Sequence, residues 1–174
     1  MTQSARVAAA LLIATSASAQ AHEFADSGPQ TPFRSVQACV VQRIVDGDTI
    51  SCKDLGSVRL IGIDSPERTQ KPFGPAAAAA LASMLQVGDT IQLERDVALR
   101  DRSRRLLAYA WREGRMLNWL MLRGGWAVVL TITPNVQFVD AFVIAQRRAR
   151  AERRGLWAVD GFECLPAERR RRVC

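Results

Sequence analysis

Short apolar runs broken by turn residues fill the first two thirds of the chain, and longer helical runs follow. Residues 36–45 and 48–53 are rich in β-branched side chains and flank Asp46-Gly47, a pattern that predicts a hairpin with a two-residue turn. Residues 57–63 read as a third strand, which Asp64-Ser65-Pro66-Glu67 leaves as a loop. Residues 71–75 lead into an alanine-rich helix over 76–86, stopped by Gly88. Strands four and five are expected over 90–94 and 106–111. A helix over 116–123 ends at Gly124-Gly125, and 126–133 is a short extended piece. A long helix over 135–154 ends at Gly155. Five short strands followed by helices predict an α+β fold: mainly a five-stranded barrel of the OB-fold type with about three packed helices.

The ends of the chain follow different rules. Residues 1–19 have the form of a signal peptide: Arg6, an apolar run over 7–14 and the small-residue site Ala17-Ser18-Ala19, with Ala21 as a second cleavage position. Residues 20–35, polar and carrying Pro29 and Pro32, read as a disordered leader. Residues 36–158 form the folded domain, and 159–174 a basic C-terminal tail. The best later apolar stretch, 116–133, is interrupted by Arg123, Gly124 and Gly125, so no membrane span is expected. The product is an exported monomer, secreted or periplasmic.

At 174 residues and 48% hydrophobic composition the chain suffices for one domain with a real core. A net charge of +7, with arginine far outnumbering lysine, favours polyanionic partners. The only histidine, His22, falls just past the cleavage site. Mechanisms that need an imidazole in the folded core are thereby excluded. Four cysteines suit an exported protein, lack zinc-site spacing, and allow three connectivities. The predicted turn sets Cys52 opposite Val41 and Cys39 one diagonal step away on the same face. This favours Cys39–Cys52 and leaves Cys164–Cys174 to close the tail.

Asp48, Asp64 and Glu67 accompany Arg59 within one short stretch of an otherwise basic chain. Hard cations such as Ca²⁺ take several oxygen ligands, and arginine presents a planar fork of donors that matches a phosphate. The combination suits phosphodiester chemistry. Each residue also has a plainer reading, Asp46-Gly47 as a turn, Asp64 as a turn residue before Pro66, Glu67 as a solvated loop acid. Arg147, Arg148, Arg150, Arg153 and Arg154 read as a solvated helix face, and Trp111, Trp119, Trp126 and Trp157 as core or helix-docking residues. The run Arg169 to Arg172 fits a nucleic-acid contact and an unstructured solubilising tail equally well.

Five segments in order carry a resemblance. Val45-Asp46-Gly47-Asp48-Thr49-Ile50, Val58-Arg59-Leu60-Ile61-Gly62-Ile63-Asp64-Ser65-Pro66-Glu67, Lys71-Pro72-Phe73-Gly74-Pro75, Arg104-Arg105-Leu106-Leu107-Ala108-Tyr109 and Gly155-Leu156-Trp157 resemble the staphylococcal nuclease (thermonuclease) family. The resemblance implies an OB-fold barrel with three helices that cleaves DNA and RNA with Ca²⁺, without sequence specificity, leaving 3′-phosphate ends. By position it implies Asp48, Asp64 and the Ser65 carbonyl as calcium ligands, Glu67 as the group that activates water, and Arg59 and Arg105 as the arginines on the scissile phosphate.

Three departures from the family pattern stand out. Ser103 replaces a tyrosine and Arg104 a glycine. Leu130, Thr131, Ile132 and Thr133 stand where base-stacking tyrosines are usual. Ser65 replaces a threonine. The first two bear on substrate affinity more than on chemistry, and make a catalytically impaired nucleic-acid-binding module the alternative to an enzyme.

Overall fold

The computed structural model describes residues 28–174. The signal peptide, both cleavage positions, His22 and the first part of the leader lie outside the described residues. In chain order the strands are β1 (Val36–Ile44), β2 (Thr49–Cys52), β3 (Gly56–Leu60), β4 (Gly62–Asp64), β5 (Thr90–Glu94), β6 (Leu106–Arg112), β7 (Arg115–Met116) and β8 (Val128–Leu130). The helices are α1 (Phe73–Met84), α2 (Leu117–Arg123), α3 (Val139–Ala151) and α4 (Pro166–Arg170), with a 3₁₀ turn over Gly155–Val159 before α4.

Five strands close a barrel. The sheet runs β3-β2-β1-β5-β6, and a parallel pairing of β3 with β6 joins its two ends. These five are the strands the hydrophobic pattern predicts, and the closed barrel with its helices is the expected α+β architecture. Alternation sorts the side chains: Ile91 and Leu93 are fully buried while Thr90 and Gln92 face out. Val41, Ile50, Val58, Leu60, Ala108 and Ala110 fill the same interior. Trp111 and Trp119 are core residues, and the indole N–H of Trp111 donates to buried Glu94 at 2.9 Å. The backbone N–H groups of Phe33 and Arg34 also donate to Glu94. They fasten the described end of the leader, whose Gly28 and Pro29 are themselves buried.

Several expectations need correction. The β1–β2 connection is wider than a two-residue turn. Ile44 pairs with Ile50, and the backbone N–H groups of Val45 and Asp46 both donate to the Thr49 carbonyl. A register shift between Val41 and Arg43 then restores Val41 opposite Cys52. Cys39 and Cys52 are consequently bonded, with Cα atoms 5.4 Å apart. Helix α1 starts earlier than its alanine run suggests, because Pro75 is tolerated in a first turn whose N–H groups have no helical partner. Helix α3 starts later than expected, since the Asn135 side chain pairs with the backbone N–H and carbonyl of Ala98. The tail is folded: α4 is closed by the Cys164–Cys174 disulfide, and Phe162 packs against Trp157 with ring centroids 4.6 Å apart.

The third predicted strand is two strands. β3 stays in the barrel, while β4 pairs with β8 in a separate two-stranded sheet, Asp64 opposite Val128. The break falls at Ile61 and Gly62, and Gly62 has φ +81°. A Cβ there would meet both a strained backbone and the Phe142 ring. Gly56, at φ +75°, has open space around its missing side chain. The pair separates strain from crowding. We expect Gly56→Ala to cost about 1–2 kcal/mol, and Gly62→Ala about 1–3 kcal/mol more because its Cβ overpacks the core. Urea unfolding of both variants checks the difference.

Candidate active site

The wide β1–β2 loop, β3 and the end of β4 converge at one side of the barrel. Gly47 allows the approach: a Cβ there would lie 2.8 Å from Ser65 Cβ and 2.9 Å from Ala77 Cβ. Asp48, buried at the loop's end, accepts at Oδ2 from the Ser65 N–H at 2.6 Å and at Oδ1 from Thr49 Oγ1 at 3.0 Å. Arg59 on β3 reaches both acids, its Nη1 lying 2.6 Å from Asp48 Oδ1 and its Nη2 3.2 Å from Asp64 Oδ1. The Asp64 carboxylate therefore turns toward Asp48 and Arg59, as a bend at Gly62 requires.

Glu67 and Arg105 stand on the walls. Asp48, Arg59, Glu67 and Arg105 line one cavity of about 620 Å³, whose apolar side includes Leu107, Leu130 and Ile132. Glu67 is 43% exposed in its side chain, so its carboxylate faces the opening. Arg105 Nε donates to Asp101 Oδ2 at 2.7 Å, and its backbone N–H to Asp101 Oδ1 at 2.9 Å. Burial opposes ionisation of Asp101, but these bonds and the Arg105 charge hold its pKa below the usual range.

Three residues at the site escaped the sequence reading. Asp101 orients Arg105, and the i, i+4 spacing of opposite charges was its visible signal. Asp46 is buried and accepts from the Asp48 N–H at 3.0 Å. Burial first, and the Asp48 charge second, push its pKa up to about 6. Arg170 of α4 donates through Nη2 to both Asp64 oxygens at 2.8 and 2.7 Å, and its Nη1 lies 3.3 Å from Glu67 Oε1. Its partners stand more than a hundred positions away in sequence, so no local pattern could show the contact. Burial raises the Asp64 pKa against the opposing pull of Arg170 and Arg59.

The donors suit a hard divalent cation. Asp48, Asp64 and the Ser65 carbonyl offer only oxygen, and Asp46 is a further buried carboxylate bonded to the Asp48 N–H. The buried Ser65 Oγ has no hydrogen-bond partner among the described residues. Cys164, Glu168 and Cys174 also lie within 4.8 Å of one another, but both cysteines are spent in the disulfide.

A family model described as staphylococcal nuclease homologue matches residues 57–159. The thermonuclease of Staphylococcus hyicus is 30% identical over 142 residues, covering 73% of this chain and 83% of the relative. That of Staphylococcus intermedius is 31% identical over 129 residues, covering 70% and 76%. The SPbeta prophage-derived endonuclease YokF of Bacillus subtilis is 31% identical over 132 residues; the match covers 70% of this chain but only 44% of YokF.

Two outcomes are expected from this geometry. With its pKa raised, Asp46 binds its proton more tightly in the folded state. Stability of the metal-free protein is therefore lost as pH rises from about 4 to about 6. Asp46→Asn should remove about 2–3 kcal/mol of that loss, read from urea midpoints in chelator at pH 4 and pH 7. The loop at Arg104 has φ 65°, the left-handed conformation that favours glycine. Arg104→Gly should stabilise by about 0.5–1 kcal/mol, the strain relieved less the added unfolded-state freedom, in the same assay.

Proposed function

The chain belongs to the staphylococcal nuclease family, and from that premise we propose that it is an exported, Ca²⁺-dependent nuclease. It would hydrolyse DNA and RNA without sequence specificity to 3′-phosphate ends, as a monomer, using residues 36–158 as its catalytic domain. The observation that carries this reading is the joining of Asp48 and Asp64 through Arg59, beside a cavity walled by Glu67 and Arg105. The names of the relatives, thermonuclease and endonuclease, support it.

Asp48, Asp64 and the Ser65 carbonyl would hold the cation. Bound there, Ca²⁺ supplies charge that offsets the anionic phosphate and polarises it toward attack. Glu67, exposed at the cavity mouth and in contact with Arg170 through Oε1, would accept a proton from the attacking water. Arg105, pre-oriented by Asp101, and Arg59, held over the acids, donate to the phosphate oxygens on which charge accumulates. The Arg59 side chain is mostly buried, so its donors act in surroundings where charge is poorly screened. Leu130 and Ile132 give an apolar wall where tyrosines would stack a base, which favours loose, sequence-tolerant contact with the nucleoside. The Asp64–Arg170 contact favours the impaired binding module as a second reading, because it engages one proposed calcium ligand.

Purified protein with both disulfides formed should degrade DNA and RNA in Ca²⁺ and stop in excess chelator. Nucleic-acid binding without cleavage would select the binding module. Glu67→Gln and Arg105→Gly should each lower the cleavage rate by about 10²–10³ while leaving the urea midpoint nearly unchanged. Near-wild-type cleavage by either variant rejects its assigned role.

A further inference from the structure

The family match ends at Val159, and the chain beyond it is built into the site. Gln70 Nε2 donates to the Pro166 carbonyl at 3.4 Å, and the Arg169 guanidinium lies 5.9 Å from the centre of the Phe73 ring. With the Cys164–Cys174 bond, these contacts hold α4 against the loop that follows Asp64. Between loop and tail lies a second cleft, of about 510 Å³. It shares Glu67 and Arg170 with the catalytic cavity, so the two spaces meet at that pair.

The charge of this cleft is one-sided. Lys71, Arg169, Arg170 and Arg172 line it, and Glu67 is the one carboxylate side chain among its lining residues. Among the described residues no ion pair is made by Lys71, Arg169 or Arg172. Arg170 alone is paired: its Nη2 donates to both Asp64 oxygens and its Nη1 to Glu67, and a guanidinium's donors match phosphate oxygens as well as carboxylate ones. Its side chain is 36% exposed, which leaves it room to exchange one partner for the other. Asp64 keeps Arg59 when Arg170 departs. A strand with its scissile phosphate beside Glu67 and leaving on this side would therefore run past Lys71, Arg169 and Arg172, cations that no carboxylate neutralises among the described residues.

Resting on the nuclease reading, we propose that the C-terminal segment forms an extended polynucleotide subsite. Arg170 releases Asp64 and takes the phosphate next to the scissile one, while Lys71, Arg169 and Arg172 hold the phosphates beyond. The tail is thus a specificity element that favours long single strands over short esters.

Fluorescence anisotropy with a labelled 12-nucleotide single strand, in chelator so that nothing is cleaved, tests this. The triple variant Lys71→Gln, Arg169→Gln, Arg172→Gln should bind at least tenfold more weakly at low salt. Its slope of log affinity against log salt should be shallower by about 2, since each single-strand phosphate contact contributes about 0.7. The control replaces Arg147, Arg150 and Arg153, exposed cations that line neither cavity, and should keep a near-wild-type slope. With Ca²⁺, the first triple variant should show raised KM on long single strands and unchanged turnover of a dinucleotide. Equal loss of slope in both triple variants would mean diffuse charge and overturn the subsite, as would unchanged binding in the first. Arg170→Gln should weaken oligonucleotide binding; unweakened binding, with tighter terbium binding by luminescence, would make Arg170 a plug and overturn its role. If wild-type protein cleaves no nucleic acid, the nuclease reading fails, and the anisotropy still decides whether the cleft binds a strand.

Discussion

Two carboxylates are buried at the side of a barrel, and one guanidinium reaches both. Asp48 and Asp64 retain 6% and 2% of their side-chain exposure. Removing such groups from water costs several kcal/mol each unless charge and hydrogen bonds compensate. Arg59 meets both, and also donates to the Leu60 carbonyl at 3.1 Å. The local architecture follows from satisfying this trio. The β1–β2 loop must widen so that Asp48 can point inward, Gly47 must lack a side chain so that Ser65 can approach, and the chain must turn at Gly62 so that Asp64 faces the same guanidinium. Arg59 and Asp64 are five residues apart, and an unbroken strand would set them on opposite faces.

How much of this was legible depended on the range of each interaction. Strand alternation is local, so the five barrel strands are legible in the sequence, although the third was read through the break that ends it at Leu60. The Cys39–Cys52 bond was legible as well, although the turn supposed to produce it is different. The wider loop removed one pairing and the register shift after Val41 restored it, so Cys52 kept its place opposite Val41. Boundaries were lost where tertiary partners intervened. Asn135 looks like the start of a helix until Ala98, from elsewhere in the chain, takes both ends of its amide. Asp46 looks like a turn residue because an Asp-Gly pair is usually only that. Its burial depends on how loops pack, which no short pattern encodes. The basic tail was the largest loss. A run of arginines has no period, and its order comes from a disulfide and from acids at the end of β4 and in the loop after it.

The 101–105 loop shows why departures from a family pattern need not disturb a site. Arg104 adopts a glycine-like φ of 65°, so the loop holds a backbone shape that suits arginine poorly. Its determinants lie elsewhere. The Arg104 N–H donates to the Asp101 carbonyl, the Asp101 N–H to the Arg105 carbonyl, and the Asp101 carboxylate receives both the backbone N–H and Nε of Arg105. Four hydrogen bonds centred on Asp101, each contributing about 0.5–1.5 kcal/mol net, outweigh the 1–2 kcal/mol penalty of one left-handed arginine. Asp101, more than the residue at 104, therefore sets where Arg105 points. The same hierarchy applies at Asp64: its direction is set by the bend at Gly62 and by Arg59, both within the family-matched segment. Arg170, contributed from outside that segment, gives the same carboxylate a second cationic partner.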